Sequence, residues 1–256
     1  MVVGDTTQAE LAPALEKAFR TWRAPSTPLP VKAAAPALPS QSAPRVLIVD
    51  RAGPQSSITA GRLAPAFDAA TEGAIDVANT ALGGAFTSRI NMNLREDKHW
   101  SYGARTVITS AQGQRPFLGI APVQIDKTAE SAAEMLREIA EYGTGKVPAT
   151  QAEVTKVVDN DLRSQPGAYE TAQAVMGTIG GIVRYGRPDN WVQVRNEQVA
   201  NFTPAQARDA AKAIDPNALT WVIVGDLSKI EAPVRALKLG EVTVIDADGK
   251  PVAKAK

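Results

Sequence analysis

The alternation of apolar and polar positions divides the chain into a first half rich in short strands and a second half that is mostly helical. Five runs with strand-like patterns lie between turn-forming residues. They cover residues 45–49 (RVLIV), 58–63, 102–109, 117–123 and 219–224. The third and fourth runs are predicted to be joined by a turn at Gln112-Gly113. The sequence therefore predicts a small sheet with at least one hairpin.

Apolar residues recur at helical spacing between and after these strands. The predicted apolar faces are Phe67/Ala74/Ile75/Ala78/Leu82, Phe86/Ile90/Leu94, Ala132/Met135/Leu136/Ile139, Val154/Val157/Val158 and Ala172/Val175/Met176/Ile179/Val183. Gly83-Gly84 is expected to end the first helix, and capping boxes predict helix starts at Thr150 and Thr203. Strands followed by helices and a closing strand favour an α+β fold, a mostly antiparallel sheet with helices packed on it.

A partial internal repeat lies near both ends of the chain. At an offset of 221 residues, the copies are Val3-Gly4-Asp5 with Thr7 and Glu10, and Val224-Gly225-Asp226 with Ser228 and Glu231. Each copy predicts a strand end, a tight turn and a helix that opens with a capping box. The repeat therefore indicates two related domains.

The repeat and the composition predict where these domains begin and end. Residues 1–22 are expected to form the closing strand and helix of a preceding domain. Residues 23–44 hold six prolines and are predicted to be an extended linker. A second, complete domain is predicted over residues 45–246, followed by a polar tail over residues 247–256.

The composition is that of an ordinary globular protein and excludes several function classes. The net charge of +1 provides no general attraction to nucleic acid or anionic lipid. No apolar run reaches the ~20 residues that cross a bilayer. The first residues lack the basic and apolar segments of a signal peptide, since Asp5 falls where the apolar core belongs.

The chain lacks the residues of most hydrolytic sites. A catalytic zinc needs about three protein ligands, whereas this sequence has one histidine, His99, and no cysteine. No G-x-S-x-G elbow is present, and Gly143-Thr144-Gly145-Lys146 does not match a phosphate-binding loop. We therefore expect neither a metal nor a cofactor in this chain.

The segment with the highest density of candidate functional residues covers residues 82–103, LGGAFTSRINMNLREDKHWSYG. The predicted core residues of this segment are Phe86, Ile90 and Leu94. Arg89 is expected to be either a helix-surface charge or a salt-bridge partner. His99 is predicted to be structural or exposed, and Trp100 to be a packed aromatic. Read on its own, this segment is also consistent with a purely structural role.

The same segment resembles the pitrilysin/insulinase family of zinc metallopeptidases. The resemblance is carried by LGG-x-F-x-SR-I at residues 82–90, LRE at residues 94–96 and Tyr102-Gly103. It covers roughly residues 45–245 and is similar to the domain of that family that lacks zinc. In this family two homologous α+β domains, joined by a linker, face each other across a chamber. The other domain carries the H-x-x-E-H zinc motif, which this sequence lacks.

The resemblance implies that two side chains reach across the chamber to the substrate, and here they are Arg95 and Tyr102. An arginine offers a planar fork of donors to a carbonyl or carboxylate. A tyrosine hydroxyl can donate to the oxyanion that forms during peptide hydrolysis. The loop that contains Gly83, Gly84 and Ser88 is expected near the chamber, where missing side chains let a substrate backbone approach. The alternative for the pair is that Arg95 bonds a neighbouring acid and Tyr102 packs as a strand aromatic.

The resemblance therefore predicts the noncatalytic, substrate-binding half of a zinc metallopeptidase. Its expected partners are a homologous zinc-bearing domain and an unfolded peptide, and alone the chain should be inactive. The alternative is a scaffold or assembly subunit that keeps the fold without peptidase activity. A periplasmic or exported bacterial location is expected from the family and the linker composition.

Overall fold

The fold is described from a computed structural model for residues 2–28, 30, 43–111 and 113–252. Most of the predicted linker, Gln112 of the predicted turn and the end of the predicted tail lie outside these residues. The chain divides into two compact units. One comprises Met1–Ala37 and Arg163–Trp191, and the other comprises Leu38–Leu162 and Val192–Lys256.

The larger unit is built on one mixed sheet. Its strands are β1 (Arg45–Asp50), β2 (Gln55–Ala64), β3 (Arg105–Ile108), β4 (Arg115–Gln124), β5 (Thr220–Gly225) and β6 (Glu241–Ile245), in the spatial order β3-β4-β2-β5-β1-β6. The pairings β3–β4, β4–β2 and β2–β5 are antiparallel, whereas β5–β1 and β1–β6 are parallel. The predicted α+β class with a mostly antiparallel sheet is confirmed.

Along the described part of the chain, helices lie between the strands and most of them follow β4. They are α1 (Gln8–Ala18), α2 (Glu72–Asn79), α3 (Arg89–Asn91), α4 (Thr128–Gly143), α5 (Gln151–Ser164), α6 (Ala172–Tyr185), α7 (Trp191–Ala200), α8 (Pro204–Ala211) and α9 (Leu227–Ala236). Two of them continue as π-helical turns, α2 into Thr80–Gly84 and α3 into Met92–Asp97. π-turns inside helices are frequent at functional sites.

The core lies between the sheet and the helices packed on it, chiefly α4 and α9. It is formed from inward-facing strand residues and the apolar helix stripes that the sequence predicts. Its largest fully buried apolar side chains include Trp221, Phe117, Ile48, Ile58, Leu82, Ile90, Leu94, Met135 and Ile139. The segment from Leu82 to Leu94 is therefore anchored in the core at both ends.

The predicted capping hydrogen bonds are present at most of the helix starts. Thr150 and Glu153 bond each other's backbone N–H groups, as do Thr203 and Gln206. The capping box of Thr7 and Glu10 is also present at α1. At the second repeat copy the expected box is wrong, because Asp226 takes the N-cap position and accepts from Ser228 N.

Four further expectations of local structure are wrong. Phe67 precedes α2, and Val3 is not part of a strand. Phe86 is 60% exposed and does not belong to the core. Tyr102 precedes β3 and is not a packed strand aromatic. The strand β6, in turn, was not predicted.

The smaller unit contains α1 and α6. Thr171 caps α6, its hydroxyl accepting from Ala174 N, and Gly186 ends it in the left-handed region at φ 60°. The predicted apolar face of α6 is present, but it is not buried, and Val183 is largely exposed.

Candidate substrate-binding site

The double glycine belongs to the π-turn that closes α2, and its two residues have different environments. A Cβ atom on Gly83 would lie 2.4 Å from the backbone nitrogen of Thr106 in β3. Gly83 is therefore required by the close approach of the turn to the sheet. Gly84 is exposed, and the nearest atoms to a Cβ there would be side-chain atoms of Thr80, from 3.2 Å, and Asn79, at 3.5 Å.

Ser88 lies at the N-cap of α3 and is buried. Its hydroxyl has no hydrogen-bond partner among the described residues. Of the three residues expected in a chamber loop, Gly83 and Ser88 are thus interior, and only Gly84 reaches the surface. The close approach to Thr106 accounts for Gly83.

Arg89 is held in a dense set of contacts. Its Nε and Nη2 donate to the two carboxylate oxygens of Glu153 at 2.6 and 2.7 Å. Its Nη1 and Nη2 also donate to the carbonyl oxygens of Val147 at 2.6 Å and Pro148 at 2.7 Å. The guanidinium carbon lies 4.9 Å from the centre of the Tyr142 ring. Of the two roles left open for Arg89, the structure selects the salt-bridge partner.

The electrostatics of this pair follow from burial and pairing together. Burial alone would lower the pKa of Arg89, but the hydrogen bond and charge of Glu153 raise it. Burial alone would raise the pKa of Glu153, but hydrogen bonds from Arg89 and the Thr150 backbone, with the charge of Arg89, lower it. Burial also raises the pKa of the Tyr142 phenol, which donates to Ala78 O at 2.9 Å. Both charged groups are therefore fixed in their ionised forms.

Arg95 lies on the π-turn after α3 and is far less constrained. Its Nε lies 3.4 Å from a carboxylate oxygen of Glu96, and its guanidinium carbon lies 4.4 Å from the centre of the Phe86 ring. Within the described part of the chain, its two terminal nitrogens have no hydrogen-bond partner. The neighbouring-acid contact expected for a purely structural Arg95 is thus present but long.

Tyr102 is 87% exposed, and its hydroxyl makes no hydrogen bond to any described residue. The backbone that leads to it is nevertheless well fixed. Leu94 O accepts from Trp100 N at 2.9 Å and from Ser101 N at 3.2 Å. The Ser101 hydroxyl bonds Gly103 on one side and Pro122 on the other. Tyr102 is therefore an exposed side chain on a well-bonded backbone.

The backbone of His99 helps to shape this loop. It adopts a left-handed conformation at φ 57°, and its Nδ1 lies 3.1 Å from Arg95 O. Its own carbonyl accepts from the Gln124 side chain at 3.1 Å, while Gln124 N donates to Trp100 O at 2.9 Å. The interpretation of His99 as a structural residue agrees with this geometry. Gln124, at the end of β4, is a contributor that the sequence patterns did not indicate.

Arg95 and Tyr102 line the same open cavity, which has a volume of about 330 Å³. The other lining residues are Gln55, Glu96, His99, Trp100, Ser101 and Gln124. The cavity thus combines a guanidinium with free donors, a free phenol and several backbone and amide groups. Such a surface can bind the carbonyl and carboxylate oxygens of a peptide.

The described residues contain no group of three or more His, Cys, Asp or Glu side chains that could hold a metal ion. Within the same ranges, every helix is too short or too polar to cross a membrane.

The sequence profile described as Peptidase M16 inactive domain matches residues 1–160, which is more than half of the chain. The chain therefore belongs to the inactive-domain family of M16 peptidases. No curated protein sequence matches it significantly.

Solved structures show the same fold. A peptidase M16 inactive domain from Pseudomonas fluorescens superposes with a TM-score of 0.74 at 20% identity, covering 87% of this chain and 52% of that one. A predicted insulinase family protease from Yersinia pestis has a TM-score of 0.67 at 16% identity, covering 91% and 54%. The periplasmic protease PqqL from Escherichia coli has a TM-score of 0.64 at 14% identity, covering 86% and 24%. This chain thus spans about half the length of the first two structures and 24% of the third.

Proposed function

We propose that this chain is the substrate-binding, noncatalytic half of a zinc metallopeptidase. It binds an unfolded peptide segment and completes an active site together with a homologous domain that carries H-x-x-E-H. The observation that supports this most is that Arg95 and Tyr102 line one cavity with their polar ends unpaired among the described residues. Neither group makes a hydrogen bond to a described residue, so both are available to a ligand.

The two side chains would act in different ways. The terminal nitrogens of Arg95 would bind a carbonyl or carboxylate oxygen of the peptide and orient it. The Tyr102 hydroxyl would donate a hydrogen bond to the oxyanion that develops on the scissile carbonyl. The zinc of the partner domain would supply the activated water. Gly84, exposed beside this loop, would let the substrate backbone approach closely.

The same proposal concerns domain organisation and location. Residues 1–22 would belong to the zinc-bearing domain, and residues 23–44 would link the two domains. We propose a periplasmic or exported location in bacteria, which the likeness to a periplasmic protease supports.

The test is reconstitution of activity. The purified chain is mixed with a homologous M16 domain that bears H-x-x-E-H, and a fluorogenic peptide is added. Neither component alone should hydrolyse the peptide, and the mixture should do so. Arg95→Ala and Tyr102→Phe should each lower kcat/KM about 100-fold, as expected for the loss of one transition-state donor.

The matched controls are Arg208→Ala, which removes an exposed arginine outside the cavity, and Tyr169→Phe, which removes another phenol. Both should leave turnover unchanged. Full activity of Arg95→Ala and Tyr102→Phe would contradict the assigned roles. An assembled complex without any peptidase activity would favour the scaffold alternative instead.

A further inference from the structure

Phe86 was expected in the core with Ile90 and Leu94, but its side chain is exposed beside Arg95. It lies between the π-turn of α2 and the start of α3, and 60% of its surface is exposed. A large apolar side chain so exposed is not explained by the burial that stabilises its neighbours Ile90 and Leu94. Because single exposed apolar side chains are common, the contacts of the ring decide what Phe86 does.

The backbone of Phe86 is held in place although its ring is exposed. The buried side chain of Asn91 donates from Nδ2 to Phe86 O at 2.5 Å. The Oδ1 of the same amide accepts from Ala104 N at 3.0 Å. Asn91 thus ties the loop that carries Phe86 to the chain that follows Tyr102. The ring is presented from a fixed point of the site.

The ring lies against the guanidinium of Arg95. The distance of 4.4 Å between the guanidinium carbon and the ring centre is within the range of a cation–π contact. Glu96 contacts Nε from the side at 3.4 Å. The ring and Glu96 therefore contact the guanidinium and its Nε, while the two terminal nitrogens make no hydrogen bond to a described residue.

We infer that Phe86 is a positioning residue for Arg95: its ring stacks on the guanidinium and fixes the orientation in which the terminal nitrogens meet the substrate. This inference rests on the proposed role of Arg95. The long, flexible arginine side chain loses conformational freedom when it binds, and stacking reduces that loss before the substrate arrives. The proposal assigns Phe86 no contact with the reacting atoms.

The first measurement is independent of activity. In the NMR spectrum of the isolated chain, the Arg95 Nε–H signal, assigned by its loss in Arg95→Ala, should carry a ring-current shift. Phe86→Leu should move that signal toward the value of an ordinary exposed arginine, while the signal of Arg208 stays in place. An Arg95 signal that does not respond to Phe86→Leu would overturn the inference.

The second measurement is a double-mutant cycle in the assembled enzyme with the fluorogenic peptide. An exposed cation–π contact is worth roughly 0.5–1 kcal/mol, so Phe86→Leu should lower kcat/KM about two- to fivefold. Phe86→Tyr keeps an aromatic ring and should stay within about twofold of wild type. In the Arg95→Ala background, Phe86→Leu should have no further effect.

The outcomes separate this inference from the function on which it rests. If Arg95→Ala lowers activity but Phe86→Leu has the same cost with and without Arg95, then Phe86 acts on its own and the positioning role is wrong. Unchanged activity of Phe86→Leu beside an impaired Arg95→Ala also overturns it. If Arg95→Ala itself is fully active, the proposed function fails, and the inference fails with it.

Discussion

The two arginines of α3 and its π-turn, Arg89 and Arg95, lie six residues apart and have opposite environments. Arg89 has 13% of its side chain exposed and donates to a carboxylate and two backbone carbonyls. Arg95 has 36% exposed and makes one long ionic contact and one ring contact. The same residue type thus serves as a structural tie on the buried side of the segment and as an available donor on its exposed side.

This difference extends along the whole segment from Leu82 to Gly103. On the buried side, Gly83 and Ser88 are enclosed by β3 and the core. On the exposed side, Gly84, Phe86 and Tyr102 face solvent on a well-bonded backbone. A rigid scaffold with a few unpaired groups is the arrangement that binding sites generally need. Residue type alone does not separate the two sides.

The largest expected effect is on the stability of the buried side. Arg89→Ala removes the cation that pairs with Glu153, which keeps only its hydrogen bonds from Thr150, and it also removes the donor to two backbone carbonyls. It should lower the free energy of unfolding by about 3 kcal/mol. Arg95→Ala should change it by less than about 0.5 kcal/mol, as most exposed substitutions do. Urea denaturation followed by circular dichroism measures both. Equal losses of unfolding free energy in the two variants would contradict the difference between a structural Arg89 and an available Arg95.

The double glycine offers the same contrast between buried and exposed positions. Gly83→Ala places a methyl group against the β3 backbone and should cost about 2 kcal/mol, because neither the turn nor the sheet can yield easily. Gly84→Ala should stay within about 0.5 kcal/mol of wild type. The same urea titrations apply. A Gly83→Ala variant as stable as wild type would show that the turn and β3 are not in close contact.

On the exposed side, the geometry of the cation should matter as well as its charge. Arg95→Lys keeps the positive charge but loses the planar fork and should lower kcat/KM of the assembled enzyme about tenfold. Arg208→Lys is the matched control and should be silent. Steady-state kinetics with the fluorogenic peptide decide the matter. Full activity of Arg95→Lys would mean that a point charge suffices.

The smallest expected effect is the pH dependence of the stability that the Arg89–Glu153 pair contributes. The folded state holds the pKa of Glu153 below its ordinary value of 4.5, so the unfolded chain binds a proton first as the pH falls. The stability from this pair is complete above that value and is lost as the pH drops through the folded pKa. The stability difference between wild type and Glu153→Gln should therefore narrow below about pH 4.5. A difference that stays constant down to pH 3 would contradict it.

The sequence predicted well the features that depend on neighbouring residues. The capping boxes at Thr150 and Thr203 and the strand β1 involve contacts within a few positions, and each is present. The cavity pair Arg95 and Tyr102 was named from the motif of a resembling family, because the residues alone favour a structural role. Their common cavity could not be foreseen from the residues themselves.

The failures arise where the backbone departs from a regular element. Phe86 shares a spacing of four with Ile90 and Leu94, but α3 begins only at Arg89, so Phe86 does not share their buried face. Tyr102 reads as the start of a strand, but the bonds of Ser101 delay β3 to Arg105. The strand β6 pairs in parallel with the distant β1, and no local pattern announces such a pairing.

The central claim is that the exposed side of this segment contacts the peptide during catalysis. The most direct measurement replaces Tyr102 with photoreactive p-benzoylphenylalanine in the assembled enzyme, with zinc removed by a chelator so that a labelled peptide remains uncut. Irradiation should link the peptide to this position, excess unlabelled peptide should prevent the link, and the same probe at Arg208 should give none. Absence of a peptide adduct at position 102, in a complex that binds the peptide, would contradict the account.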